Sequence, residues 1–118
     1  VVNWSLMSRI PLLAELDARE VSELMPLLHA HHVPPKSEIL KAGLPARAMF
    51  FVASGKVRMQ HPEAEIVFES GDFFGATAML TGDSPSAPCI TATKCRLLKL
   101  HAEDFHRLDV DRVFRVHR

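Results

Sequence analysis

The stretch with the clearest chemical potential runs from residue 71 to residue 88. Its sequence is GDFFGATAMLTGDSPSAP, in which three glycines frame a short apolar piece. This pattern predicts a strand, a tight turn, one short helix from Ala76 to Leu80, and a loop that leads to the next strand. A helix that begins directly after a glycine presents free backbone N–H groups and the positive end of its dipole. The expected chemistry is therefore the binding of an anion such as a phosphate.

No cation accompanies this predicted anion site in the surrounding sequence. Between Arg58 and Lys94 there is no lysine or arginine, whereas the same interval holds five acidic residues. A buried phosphate is best matched by a cation, preferably a bidentate arginine. Losing one charged hydrogen bond of roughly 1.5–3 kcal/mol should weaken binding by about 10–100-fold. Arg47 and Arg58 are the candidates to supply the missing charge from another strand.

The elements that position this stretch follow from the apolar spacing. Up to residue 28, apolar residues recur mostly at intervals of three and four, which predicts helices interrupted at Pro11 and limited by Pro26. Between them, Asp17 and Glu20 form a predicted capping box. From His29 onward the pattern changes to short strands separated by turn residues, including a hairpin at Ser54-Gly55. A final helix begins over Asp104 to Leu108, and an apolar stripe continues it: Val110, Val113, Phe114 and His117.

Helices at both ends and many short strands between them predict a mainly β domain, a small antiparallel barrel or sandwich flanked by helices. We divide the chain into an N-terminal helical segment (1–28), a β-barrel (29–100) and a C-terminal helix (101–118) that is expected to be truncated. The aromatic residues expected to fill the barrel core are Phe50, Phe51, Phe68, Phe73 and Phe74.

Composition removes several classes of function. Basic and acidic residues balance at 14 each, so there is no bulk electrostatic attraction to nucleic acid or to an anionic membrane. No apolar run is long enough to span a bilayer, and the chain, which begins at Val1, is expected to be a fragment of a longer protein. Cys89 and Cys95 are six residues apart on what looks like strand, about 20 Å, too far for a disulfide. We expect free thiols with no neighbouring base, in a reducing compartment.

The order of these motifs resembles the cyclic-nucleotide-binding domain family. The resemblance rests on ILKAG (39–43), MFFVASGKV (49–57) and GDFFG (71–75), and all five glycines fall on glycine positions of the family. One glycine usual after Gly43 is absent, since Ala46-Arg47 stand there. The resemblance to this family implies a β-roll or jelly-roll barrel with N- and C-terminal helices.

The flanking segments are most similar to the C-terminal cytosolic domain of bacterial cyclic-nucleotide-regulated potassium channels. These segments are NWSL (3–6), IPLL (10–13) and LLKLHAEDF (97–105). Similar flanks occur in the regulatory domains of bacterial sodium/proton antiporters, and the similarity to Crp/Fnr transcription factors is weaker.

The resemblance implies that residues 71–88 form the family's phosphate-binding cassette. The family motif is Gly-Glu-x-Ala-Leu followed by Pro-Arg-x-Ala-Thr, in which the Glu binds the ribose 2′-OH and the Arg pairs with the cyclic phosphate. Here Ala76 replaces the Glu, Pro85 replaces the Arg and Pro88 replaces the Thr. We therefore predict a degenerate site, and its candidate ligand-binding residues are Gly75, Ala76, Thr77, Ala78, Pro85, Ser86, Ala87 and Pro88.

The resemblance implies a regulatory domain, not an enzyme, of a bacterial membrane ion channel or ion transporter on the cytoplasmic side of the inner membrane. No cofactor is expected, and a cyclic nucleotide or another anion should bind weakly or not at all. The expected partner is the rest of its own membrane-protein chain, and that host protein could form a homo-oligomer. We expect this domain neither to bind nucleic acid nor to insert directly into the membrane. The alternative is the sensor domain of a Crp/Fnr-like transcription regulator.

A cupin-like metalloprotein is a more remote alternative. His29, His31 and His32 are close in sequence, and histidines two apart in a strand point the same way. Glu38 and either His61 or His101 could complete such a set. The preferred interpretation is that these histidines are polar residues where a helix ends and an edge strand begins.

Overall fold

Residues 2–108 are described by the structure, a computed structural model. The predicted stripe from Val110 to His117 lies outside the described residues. The helices are α1 Trp4–Met7, α2 Pro11–Ala14, α3 Ala18–Leu24, a 3-10 turn Met25–Leu27, α4 Ala76–Thr81 and α5 Ala102–Arg107. The strands are β1 Leu28–Val33, β2 Glu38–Leu40, β3 Ala48–Ser54, β4 Val57–His61, β5 Ala64–Phe68, β6 Phe73–Phe74, β7 Cys89–Thr91 and β8 Cys95–His101.

The strands form two four-stranded antiparallel sheets. The first has the order β1-β8-β3-β6 and the second the order β2-β7-β4-β5. One apolar cluster lies between them, where Val52 and Leu97 of the first sheet meet Leu40 and Val57 of the second. The predicted mainly β architecture with flanking helices is confirmed.

Strand β3 of the first sheet is buried on both faces, which explains its long apolar run. Side chains alternate across a strand, so Phe50 and Val52 point to the second sheet, whereas Met49 and Phe51 point the other way. There they meet the N-terminal helices through residues such as Leu13. The N-terminal helices therefore cover the sheet face that the second sheet leaves open.

Three predicted features of the N-terminal helices are confirmed. Pro11 is the first residue of α2, a position where its missing N–H is tolerated. The capping box begins α3, since Asp17 Oδ1 accepts from the Glu20 N–H at 2.9 Å and Glu20 Oε1 accepts from the Asp17 N–H at 3.0 Å. Pro26 lies in the 3-10 turn that follows, so α3 ends at Leu24.

The placement of the cysteines corrects one prediction. Cys89 lies on β7 of the second sheet and Cys95 on β8 of the first, so they do not share a strand. Both are buried free thiols. Burial raises the pKa of Cys89 to about 11, and the Cys95 Sγ–H donates to the Lys56 carbonyl at 3.3 Å.

A buried threonine joins β7 to the turn before β2. The Thr91 side chain is 2% exposed, and its hydroxyl accepts from the Ser37 N–H at 2.8 Å and donates to the Pro34 carbonyl at 2.7 Å. Thr91→Val keeps the shape but removes both bonds: the Ser37 N–H loses the hydroxyl that it donates to, whereas the Pro34 carbonyl still accepts from Ser37 Oγ at 2.9 Å. We expect it to lower the free energy of unfolding by about 1–3 kcal/mol in urea denaturation.

Thr93→Val is the matched control. Its hydroxyl accepts from the Lys56 N–H at 3.0 Å, but the residue is exposed and water can replace the bond. We expect a loss of about 0.5 kcal/mol or less. Equal losses in the two variants would contradict the role given to burial at Thr91.

Candidate functional site

The helix α4 is held between two left-handed glycines. Gly75 caps its start with φ 85° and Gly82 caps its end with φ 76°. A Cβ at Gly75 would lie 3.1 Å from Leu40 Cδ1 and 3.3 Å from the Ala48 carbonyl oxygen, so the turn is packed against both sheets. The predicted order of strand, tight turn, short helix and loop is confirmed, and the helix ends at Thr81.

A cavity of about 480 Å³ lies between α4, the loop after it and the second sheet. Six of the eight predicted ligand-binding residues line it: Gly75, Ala76, Thr77, Ala78, Pro85 and Ser86. Ala87 is buried and does not line the cavity. Pro88 is also outside the lining, and its carbonyl accepts from the Gln60 N–H of β4 at 3.3 Å. These two residues hold the end of the loop to the sheet.

The cavity wall opposite α4 is apolar and aromatic. It consists of Leu40, Met59, Phe68, Phe73 and Phe74. The Phe74 and Phe68 rings are stacked with centroids 5.2 Å apart. None of these residues is among the eight predicted ligand-binding residues, although Phe73 and Phe74 lie within the predicted cassette (71–88).

The prediction that all five phenylalanines fill the core is wrong for Phe73. Its side chain is 43% exposed and lines the cavity, whereas Phe74 is 4% exposed. Adjacent residues of a strand point to opposite faces, so the pair Phe73-Phe74 could not both be buried on one side. That alternation is the signal in the sequence from which the exposure of Phe73 could have been predicted.

Among the described residues that line the cavity, Asp83 is the only charged one, and none is Lys, Arg or His. The two arginines considered as replacements do not reach it. Arg58 Nε lies 3.2 Å from Glu65 Oε1, and Arg47 lines a separate groove with Lys99. The cavity as built therefore has an acidic rather than a basic electrostatic character.

The polar groups of the cavity are mainly hydroxyls. Thr81 Oγ1 donates to the Thr77 carbonyl at 3.0 Å and accepts from the Asp83 N–H at 3.3 Å. Ser84 and Ser86 also line the cavity. The first bond within α4 runs from the Met79 N–H to the Gly75 carbonyl at 3.1 Å, so the N–H groups before Met79 precede the helical ladder. Hydroxyls and amides can orient a ligand, but they do not neutralise a phosphate.

The residues of the remote metal hypothesis are only partly close together. His29 and His101 are in edge-to-face contact, with ring centroids 5.3 Å apart. Glu38 lies on β2 of the other sheet, and His61 Nδ1 accepts from the Glu63 N–H at 3.3 Å. In residues 2–108, no group of three or more His, Cys, Asp or Glu side chains is arranged to hold a metal ion. Over the same residues, no helix is long and apolar enough to cross a membrane.

Comparison with known proteins gives one consistent family. The sequence profile of the cyclic nucleotide-binding domain matches residues 30–110. A cyclic nucleotide-gated potassium channel of Rhizobium etli is 34% identical over 108 residues, covering 92% of this chain and 30% of that protein. A cyclic nucleotide-gated potassium channel of Mesorhizobium japonicum is 36% identical over 108 residues, with the same coverage of 92% and 30%. The predicted resemblance to bacterial potassium channels is confirmed.

A solved structure shows the same fold. The catabolite activator protein of Thermus thermophilus superimposes with a TM-score of 0.71 at 28% identity, covering 82% of this chain and 48% of that one. The chain spans about 30% of the length of the two channel relatives.

Proposed function

Because this chain belongs to the cyclic nucleotide-binding domain family, we propose that it is a regulatory domain whose cavity binds cyclic nucleotides weakly or not at all. The observation that carries this proposal is the charge of the cavity lining, in which Asp83 is the only ionisable side chain among the described residues. A cyclic phosphate would lose its solvation there without gaining a cation. Asp83 adds repulsion between like charges.

Calorimetric titration of the folded chain tests this directly. We expect no measurable binding of cAMP or cGMP at micromolar concentrations, because the cavity lacks at least one charged hydrogen bond to the phosphate. The loss of one such bond lowers the affinity by about 10–100-fold. Adenosine, which lacks the phosphate, is the control ligand and should bind no more weakly than cAMP. Cooperative thermal unfolding of the same sample establishes that the protein is folded.

Two results would contradict the degenerate site. One is a micromolar dissociation constant for cAMP, and the other is a clear preference for cAMP over adenosine. If cAMP did bind tightly, Arg58→Gln and Arg47→Gln would show whether one of these side chains moves into the cavity.

We further propose that the domain belongs to a bacterial membrane ion channel or ion transporter and lies on the cytoplasmic side of the inner membrane. Its similarity to potassium channels over 92% of the chain supports this host. In this proposal the role is regulatory and not catalytic, and the partner is the rest of the same polypeptide. No cofactor is required.

The packing of α4 suggests how such a domain would pass on a signal. Met79 of α4 lies in the cluster formed with the N-terminal helices, whereas Ala78 packs against the cluster between the sheets. A ligand or partner that shifts α4 would therefore disturb both clusters. The coupling can be no larger than the preference of that ligand for one arrangement.

The sensor domain of a Crp/Fnr-like transcription regulator is the second candidate, supported by the similarity to the Thermus catabolite activator protein. The complete host gene distinguishes the two. A channel or transporter would encode apolar spans of about 20 residues, whereas a transcription regulator would encode a helix-turn-helix motif.

A further inference from the structure

Three histidines and one lysine lie close together where β1 pairs with β8, away from the cassette. They are His29, His31, Lys99 and His101, and we call them the histidine–lysine cluster. Together they line a cavity of about 420 Å³. His29 is paired with Lys99 across the strands, and the His29 and His101 rings are in contact. The cluster is therefore built by strand pairing and not by a flexible loop.

The positive region extends beyond this cavity. Lys99 and His101 also line a second groove of about 390 Å³, together with Lys41 and Arg47. No Asp or Glu of the described residues lines either space. Lys and Arg together equal Asp and Glu together over the whole chain, at 14 each, so the basic side chains are locally concentrated here.

The nearby acids do not neutralise the cluster. Glu103 and Asp104 follow His101 in the chain, but Asp104 Oδ1 lies 3.8 Å from Arg107 Nη1 and neither acid lines the two spaces. The ion pairs seen in the described part of the chain use Arg19, Lys56, Arg58 and Arg107 as their cations. Lys99 instead places its Nζ 6.0 Å from the Phe50 ring centroid.

The surroundings of His31 disfavour its charged form. Burial lowers the pKa of this imidazole, and the neighbouring Lys99, His29 and His101 lower it further. The folded chain thus binds a proton at His31 less readily than the unfolded chain does. The free energy of unfolding is therefore unaffected by this proton at a pH above the ordinary pKa of histidine. It decreases as the pH falls below that value, because the unfolded chain then takes up the proton first. A bound anion would reverse the repulsion.

We propose that the histidine–lysine cluster is a second, anion-binding site that takes an oxyanion of the phosphate class. Several cations around one opening favour a compact divalent anion over a singly charged one, since each adds to the attraction. A bound dianion favours the charged form of His31, whose pKa burial and the neighbouring cluster lower, so binding strengthens as the pH falls. Either a free phosphate ester or a phospholipid headgroup presents this chemistry.

Thermal unfolding and calorimetry of the chain with sulfate test the proposal. Sulfate stays divalent across this pH range, so any pH dependence belongs to the protein. We expect binding to strengthen by about tenfold from pH 8 to pH 6 and to be accompanied by proton uptake. Lys99→Met, which retains an apolar stem beside Phe50, should weaken binding by about tenfold, and His31→Gln should reduce the proton uptake.

Lys56→Met is the matched control, because Lys56 is an exposed lysine that pairs with Glu69 outside the cluster. It should bind sulfate as the unaltered chain does. Equal stabilisation of both lysine variants by sulfate would overturn the proposal, since it would reflect only the general effect of that salt.

Flotation with vesicles identifies the source of the phosphate. Binding to phosphatidic acid vesicles but not to phosphatidylcholine vesicles, lost in Lys99→Met, would assign a lipid headgroup. Sulfate binding without vesicle binding would assign a free anion. Absence of both, or vesicle binding equal in Lys99→Met and Lys56→Met, would overturn the site. None of these outcomes bears on the cassette cavity.

Discussion

Gly55→Ala should lower the free energy of unfolding by about 4 kcal/mol or more, the largest effect expected of a single methyl group in this chain. Gly55 has a φ of +95° in the turn between β3 and β4. A Cβ there would lie 2.5 Å from the Lys94 carbonyl oxygen and 2.6 Å from Cys95 Sγ. Backbone and a buried side chain must therefore move apart.

The two turns that meet at Gly55 are bonded to each other. The Lys56 N–H donates to Thr93 Oγ1 at 3.0 Å, and the Lys56 carbonyl accepts from the Ala92 N–H at 2.8 Å. The Cys95 thiol donates to the same carbonyl at 3.3 Å. Separating the turns to fit a methyl group would stretch all three bonds at once. The melting temperature should fall by about 15 °C or more.

Gly43→Ala separates this contact from the strain of a positive φ. Gly43 has a φ of +82°, but a Cβ there would meet no atom within 4 Å. We expect only the left-handed penalty, about 1–2 kcal/mol. Similar losses for the two variants in urea denaturation would show that the contact with Lys94 and Cys95 has little effect on stability.

Gly55 also shows how much of the fold the sequence could predict. A hairpin at Ser54-Gly55 is a local signal, as are the capping box at Asp17 and the helix start after Gly75, and all three are found. The neighbour of Gly55 could not be predicted, because Cys95 is brought there by strands that pair over a long sequence distance. For the same reason, the prediction that Cys89 and Cys95 share a strand is wrong, since they lie in two sheets.

The candidate sites divide in the same way. The cassette residues from Gly75 to Ser86 are near in sequence, and among the described residues no Lys, Arg or His lines the cavity beside them. Part of the apolar wall opposite them could not be predicted, because Leu40, Met59 and Phe68 are brought there by strands of the second sheet. The sequence places His29 and His31 close together, but only the pairing of β1 with β8 brings Lys99 beside them. That lysine makes the cluster suited to an anion and poorly suited to a metal cation.

Ala76→Glu combined with Pro85→Arg should raise the affinity for cAMP by about 100-fold or more, the largest expected effect on binding. Both positions line the cavity, Ala76 at the start of α4 and Pro85 in the loop after it. A carboxylate is tolerated at a helix start, and removing Pro85 restores a backbone N–H. By the family resemblance, the Glu would bind the ribose and the Arg the phosphate, each worth roughly 1.5–3 kcal/mol.

The control is a double variant with the same change in charge outside the cavity, Ala18→Glu with Gln60→Arg. Both positions are exposed and neither lines the cavity, so calorimetry should show no gain in cAMP affinity. A rise in both variants would reflect non-specific attraction. If the cavity variant folds and still ignores cAMP, the backbone from Gly75 to Gly82 no longer has the shape that a cyclic phosphate needs. In that case the site would have lost the backbone geometry for a cyclic phosphate as well as the charged side chains. Replacing the charged side chains alone would not explain the loss of binding.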